Sequence, residues 1–288
     1  MSKLFSPLRL GQLELTHRIV TTMRARSEPD LAEYARRTTT GGLVIAEGCP
    51  TKDVDRERWK WICGAIHQAG GLVVALVAPD PKEARPDGVD VEAVMADVQR
   101  STRLARDAGF DAIELDAAAN SLPERFLRPE TNTREDAYGR DDEGRMRFLL
   151  EATHVLAEEF SGERVGVRLA PRARQGQAGV FAGAMRAISE RELAYVHLAY
   201  VDAPPRRADG QSALAVCAER QAFRSDVSCA LIVSGYCEVA MAAHAVDSRW
   251  ADAVGFLEVN DDPEFVARSL ASRVGERQGV VTGSRERG

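Results

Sequence analysis

From residue 18 to residue 274 the chain repeats one pattern, a short apolar-rich run followed by an amphipathic stretch long enough to form a helix. The apolar runs are 18–23 (RIVTTM), 43–46 (LVIA), 72–77 (LVVALV), 112–115 (AIEL), 165–169 (VGVRL), 194–198 (AYVHL), 230–234 (ALIVS) and 253–257 (AVGFL). A strand that is apolar on both faces belongs to a parallel sheet covered by helices, whereas a strand with one wet face would alternate. Eight strand–helix units predict an α/β fold of one kind, a single (β/α)8 TIM barrel, whose reactive groups sit at the C-terminal ends of the strands.

The intervening stretches predict helices over 31–37, 53–68, 89–108, 141–160, 183–191, 214–225, 239–246 and 262–274. Ser27 and Pro29 suit the start of the first, and the pairs Gly41-Gly42 and Gly70-Gly71 end the first two. Ahead of the barrel, residues 4–15 alternate around Leu10-Gly11-Gln12, which predicts an N-terminal β-hairpin. Nothing in 1–274 resembles a linker, so one domain is expected, with a Gly- and Arg-rich tail over 275–288 that frays.

A formal charge of -6 and a pI near 5.5 argue against nucleic acid or an anionic membrane as the main partner. No apolar run reaches the roughly 18 residues of a membrane span, and the N-terminus lacks a signal peptide's apolar core. A cytoplasmic protein is expected, acting on a small molecule, with a homo-oligomer allowed. Cys49, Cys63, Cys217, Cys229 and Cys237 fall at irregular spacings and predict reduced thiols. No two histidines have metal-ligand spacing, so no metal is expected.

Three blocks carry a resemblance to a known family. They are Arg18-Ile19-Val20, then Ala108-Gly109-Phe110-Asp111, and the long run from Phe126-Leu127-Arg128-Pro129 through Asp136-Ala137-Tyr138-Gly139 to Val165-Gly166-Val167-Arg168-Leu169. Together they resemble the old yellow enzymes, FMN-dependent ene-reductases built on this barrel. The resemblance implies that Asp116 and Ala119 stand where the family grips a substrate carbonyl, and Ser121 where it has a proton-donating Tyr. It also places Ala25 and Leu76 at polar flavin contacts, Ser234-Gly235 at a Gly-Gly phosphate loop, and Glu258 at a phosphate-binding Arg. Arg168 matches the family residue that faces the flavin pyrimidine. These substitutions argue against bound FMN, and the sequence reading expects no cofactor.

On that reading the groups around the barrel mouth are Arg24, Arg26, Glu47, Glu114, Asp116, Arg168, His197, Tyr236 and Glu258. Glu114 and Asp116 are two apart on one strand and share a face. Asp116 is expected as general acid or base, Arg168 as oxyanion stabiliser and His197 as a further catalytic group. Arg24, Arg26, Glu47, Glu114, Tyr236 and Glu258 are expected to line the substrate site. The bland readings are a Glu114–Arg168 ion pair across the barrel and a core role for His197. The expected function is a flavin-independent isomerisation, cyclisation or elimination on an unsaturated carbonyl compound. The alternatives are an ene-reductase with rearranged FMN contacts and a non-catalytic scaffold.

Overall fold

The computed structural model describes residues 2–24, 31–48, 53–79, 85–118, 120–171, 178–199, 223–235 and 239–256. Its strands are β1 (Leu8–Leu10), β2 (Leu13–Leu15), β3 (Ile19–Arg24), β4 (Leu43–Glu47), β5 (Leu72–Val77), β6 (Ala112–Ala117), β7 (Val165–Leu169), β8 (Tyr195–Ala199), β9 (Ala230–Gly235) and β10 (Ala253–Phe256). Strands β3 to β10 pair in sequence order, all parallel, and β10 returns to β3 to close the barrel. This is the expected (β/α)8 architecture, with an antiparallel β1–β2 hairpin in front of it.

The helices are α1 (Leu31–Arg37), α2 (Asp53–Gln68), α3 (Val91–Ala108), α4 (Leu122–Leu127), α5 (Asp142–Phe160), α6 (Ala178–Ser189) and α7 (Val239–Asp247). Helix α3 shows why the boundaries were readable. Asp90 accepts the Ala93 N–H at its start, and Gly109 turns into the left-handed region at its end. Helix α6 begins five residues before its expected start, because Val180, Phe181, Ala184, Met185 and Ile188 form a buried stripe that carries the helix through Gly183. Helix α4 falls in a stretch expected to be loop. The expected helix at 262–274, the tail at 275–288 and most of the helix at 214–225 lie outside the described residues.

Two apolar layers result. Ile113, Leu115 and Ala117 point outward and pack with residues of α3 and α5 in the large core between sheet and helices. The opposite faces of the strands fill the barrel, where Val20, Ile45, Val74, Ala112, Tyr195 and Ile232 meet Leu10, Leu13 and Leu15 of the hairpin. The hairpin therefore plugs the N-terminal end. Its turn is latched by the Gln12 N–H donating to the Glu163 carbonyl at 3.0 Å, and at Gly11 (φ 55°) a Cβ would lie 2.1 Å from that same oxygen. With one end closed, the C-terminal ends of the strands form the open mouth. No helix among the described residues is long and apolar enough to cross a membrane.

Candidate active site

The polar side chains of the barrel interior begin one layer above the hydrophobic plug. Glu114 on β6 is fully buried and would face β7 across Gly166, its register partner, which has no side chain. A Cβ at Gly166 would lie 2.3 Å from the ring of Tyr195, so the glycine is what admits that ring. Glu114 therefore reaches past β7 to β8. His197 Nδ1 lies 3.1 Å from both carboxylate oxygens, and His197 Nε2 lies 2.8 Å from Ser234 Oγ on β9. A carboxylate offers only lone pairs, so Nδ1 carries a hydrogen toward Glu114, and Ser234 and Nε2 share the next. Burial, reinforced by the charge of Glu114, pushes the Tyr195 phenol well above its ordinary range. Its hydroxyl meets no partner at full hydrogen-bond geometry.

Asp116, two residues further along β6, stands at the mouth and is partly exposed. Its Oδ1 accepts the Ala118 N–H at 3.1 Å, and no described residue donates to Oδ2. Burial raises its pKa from 3.8 to about 6, opposed by Arg168 and the Ala118 N–H and helped by Glu114 and Glu47. Arg168 is its register partner on β7 and is 8% exposed, yet its hydrogen bond runs elsewhere, from Nη1 to Glu47 Oε1 at 3.2 Å. Burial works against the Arg168 charge, but Asp116, Glu114 and Glu47 outweigh it and hold the guanidinium protonated above its usual range. Among the described residues Arg168 Nε is buried without a partner.

Beyond β6, Asn120 and Ser121 are tied to α4 by hydrogen bonds. Ser121 caps α4, accepting the Glu124 N–H at 3.4 Å. Glu124, fully buried, accepts from the Asn120 N–H at 2.6 Å and from Arg128 Nη2 at 2.6 Å, and Arg128 lies over the Phe181 ring. Small residues fill the strand ends beside Asp116, with Ala118, Ala170 and Ala199 in mutual contact.

The structure thus gathers Glu47, Asp116 and Arg168 at the mouth and Glu114 and His197 beneath them. It does not pair Glu114 with Arg168, as one sequence reading had it, because Gly166 leaves no side chain between Glu114 and β8. His197, expected as a catalytic group, is 1% exposed with both ring nitrogens engaged. Arg24 is in register with Glu47, while Arg26, Tyr236 and Glu258 lie outside the described residues. Sequence reasoning missed Tyr195 and Ser234 as members of the buried network. Tyr195 is two residues before His197 and so shares its face, a signal that was present.

A family model described as NADH:flavin oxidoreductase / NADH oxidase family matches residues 87–273. The chain belongs to this family. Among curated members of the flavin oxidoreductases it is 29% identical to 12-oxophytodienoate reductase 1 of Oryza sativa subsp. japonica over 58% of each chain. Several other such relatives are likewise matched over only 59% to 64% of their length. Among solved structures, morphinone reductase in complex with tetrahydroNAD is 27% identical, with a TM-score of 0.72 over 89% of this chain and 87% of that one. The old yellow enzyme homologue from Zymomonas mobilis matches in fold, at 24% identity with a TM-score of 0.77 over 93% and 92%.

Family membership overturns the expectation of no cofactor, since the family and its solved members point to FMN. It equally withdraws support from a flavin-independent isomerase, cyclase or lyase. The described residues fit a flavin. Among the described residues Arg168 Nε is a buried donor without an acceptor, Ala118, Ala170 and Ala199 keep the side chains at the strand ends small, and Gly235 ends β9 at φ 149°.

Proposed function

We propose that this protein is an FMN-dependent oxidoreductase that reduces an activated double bond in a small molecule bound at the barrel mouth. The observation that carries the proposal is Arg168 Nε, buried at the C-terminal ends of the strands with no acceptor among the described residues, in a chain of the flavin oxidoreductase family. Arg168 would hold the cofactor ring, with Gly235 and the alanine surface beside it, and the bound flavin would supply hydride. Morphinone reductase has been solved with a nicotinamide, which supports NADH or NADPH as the source of reducing equivalents.

The chain's own groups divide the remaining work. Glu47 fixes the Arg168 fork through Nη1 and leaves Nε to a ligand. The Glu114–His197–Ser234 chain keeps the interior below the mouth filled and hydrogen-bonded, which excludes water from under the site. Asp116, partly exposed and with no described residue donating to Oδ2, would be the side chain that meets substrate.

Purified protein, as isolated and after incubation with FMN, should show the visible flavin spectrum and bind FMN by fluorescence titration. Arg168→Ala removes a charge-assisted hydrogen bond worth about 1.5–3 kcal/mol and should weaken FMN binding about 10- to 100-fold. A wild-type protein that binds no FMN would overturn the proposal. So would an Arg168→Ala variant with unchanged affinity.

A further inference from the structure

Among the described residues, Thr22 Oγ1 and Arg168 Nε are both buried inside the barrel without a hydrogen-bond partner. Thr22 lies on β3 two residues beyond Val20, shares its inward face, and is 4% exposed. Register pairs lead from Thr22 through Ile45 to Val74, from Leu76 through Glu114 to Gly166, from Arg168 through His197 to Ile232, and from Ser234 through Gly255 to Val20. Each path ends two residues short of the next member of the ring Thr22, Leu76, Arg168, Ser234, which is the stagger of a barrel of shear 8. These side chains therefore form one layer, with Thr22 and Arg168 on opposite walls, because β3 and β7 lie half-way round the closed sheet from each other. Of the other two members, Leu76 is apolar and Ser234 is engaged with His197 Nε2. The Tyr195 hydroxyl, also without a partner, lies lower, in the layer filled by the hairpin.

We propose that Thr22 is a second binding contact for the flavin ring, donating its hydroxyl hydrogen to a ring acceptor from the wall opposite Arg168. This rests on the flavin-oxidoreductase reading and adds a residue to the same site. In the flavin-free protein the hydroxyl gains nothing from its position. Its register neighbour on β4 is Ile45 and its inward neighbour on β3 is Val20, so a valine would fill the same shape without a desolvated oxygen. A flavin ring carries nitrogen and oxygen acceptors on more than one edge, so a single ring can accept from a guanidinium and from a hydroxyl at once. Both orphaned groups can donate, which is what such a ring requires of its surroundings. Donors on opposite walls also fix how the ring is turned in its own plane, which one arginine alone does not.

The test compares Thr22→Val and Thr22→Ser with the wild type in two measurements, the melting temperature of the flavin-free protein and the affinity for FMN and for riboflavin by fluorescence titration. Thr22→Val keeps the shape and removes the hydroxyl. It should raise the flavin-free melting temperature by about 2 °C or more, because the oxygen it deletes is buried without a partner. The same variant should bind FMN and riboflavin about tenfold more weakly, because a ring acceptor then goes unpaired. Riboflavin lacks the phosphate, so equal losses place the contact on the ring. Thr22→Ser retains the hydroxyl and should bind both flavins as the wild type does. A gain in stability joined to a loss of affinity is a signature that a purely structural threonine does not give. A Thr22→Val protein that binds FMN as tightly as the wild type, that melts lower than the wild type without flavin, or that loses affinity for FMN but not for riboflavin overturns the inference. A wild-type protein that binds neither flavin sinks the flavin reading instead.

Discussion

Asp116 should cost the protein stability, and replacing it should give that stability back. In the native state its pKa is about 6, against 3.8 for the free side chain. Between those values the native state binds more protons than the unfolded state, so stability falls as pH rises through the window and stays low above it. A rise of that size corresponds to about 3 kcal/mol, an upper figure because the carboxyl is partly exposed. Asp116→Asn keeps the shape and removes the charge. Thermal denaturation at pH 8 should therefore show the variant several degrees more stable, at about 2 °C or more per kcal/mol in a chain of this size. At pH 4, where the native Asp116 is already protonated, the two proteins should melt together. Equal melting temperatures at pH 8, or a destabilised variant there, would refute the argument that burial outweighs the Ala118 N–H and Arg168 in setting the state of this carboxyl.

Other perturbations follow from the same geometry. Gly166→Ala forces a methyl to within 2.3 Å of the fully buried Tyr195 ring, and should destabilise by about 1–3 kcal/mol or more in denaturant melts, with partial recovery in a Gly166→Ala/Tyr195→Leu double variant. Glu114→Gln removes the charged acceptor from His197 and should cost about 3 kcal/mol or more. Its coupling to His197→Gln, measured by a double-mutant cycle, should be non-additive, because both changes break one contact. Gly11→Ala places a Cβ against the Glu163 carbonyl at a positive φ and should loosen the β1–β2 plug, seen as faster hydrogen exchange at the Gln12 amide.

The barrel was legible because its strands are apolar on both faces, and runs such as 72–77 admit no other assignment once helices flank them. The shared face of Glu114 and Asp116 was legible too, since side chains alternate strictly along a strand. What Glu114 touches was not. Its register neighbour on β7 is Gly166, and the neighbour of Gly166 on β8 is Tyr195, so the carboxylate bridges two strands over a gap that only strand stagger reveals. Arg168, one layer up, faces Asp116 and His197 in register and still turns to Glu47 on β4. Which of several acids captures one arginine depends on side-chain reach across the barrel, and periodicity carries no information about that. Helix α4 was missed because at six residues it is too short to display a period, although Leu122, Phe126 and Leu127 are buried and the Ser121 cap and the Glu124–Arg128 pair add local support.

The cofactor was misjudged by a different route. Counting side chains that differ from a flavin-binding pattern treats every alanine and glycine at the mouth as a loss. Yet a planar ring is held as much by open space and main-chain N–H groups as by side chains, and small residues supply both. Ala118, Ala170, Ala199 and Gly235 are deficits in such a count, while in the barrel they keep the strand ends small beside Arg168, whose buried Nε has no acceptor among the described residues. The substitutions at this mouth are therefore weaker evidence against a cofactor than a count of them suggests.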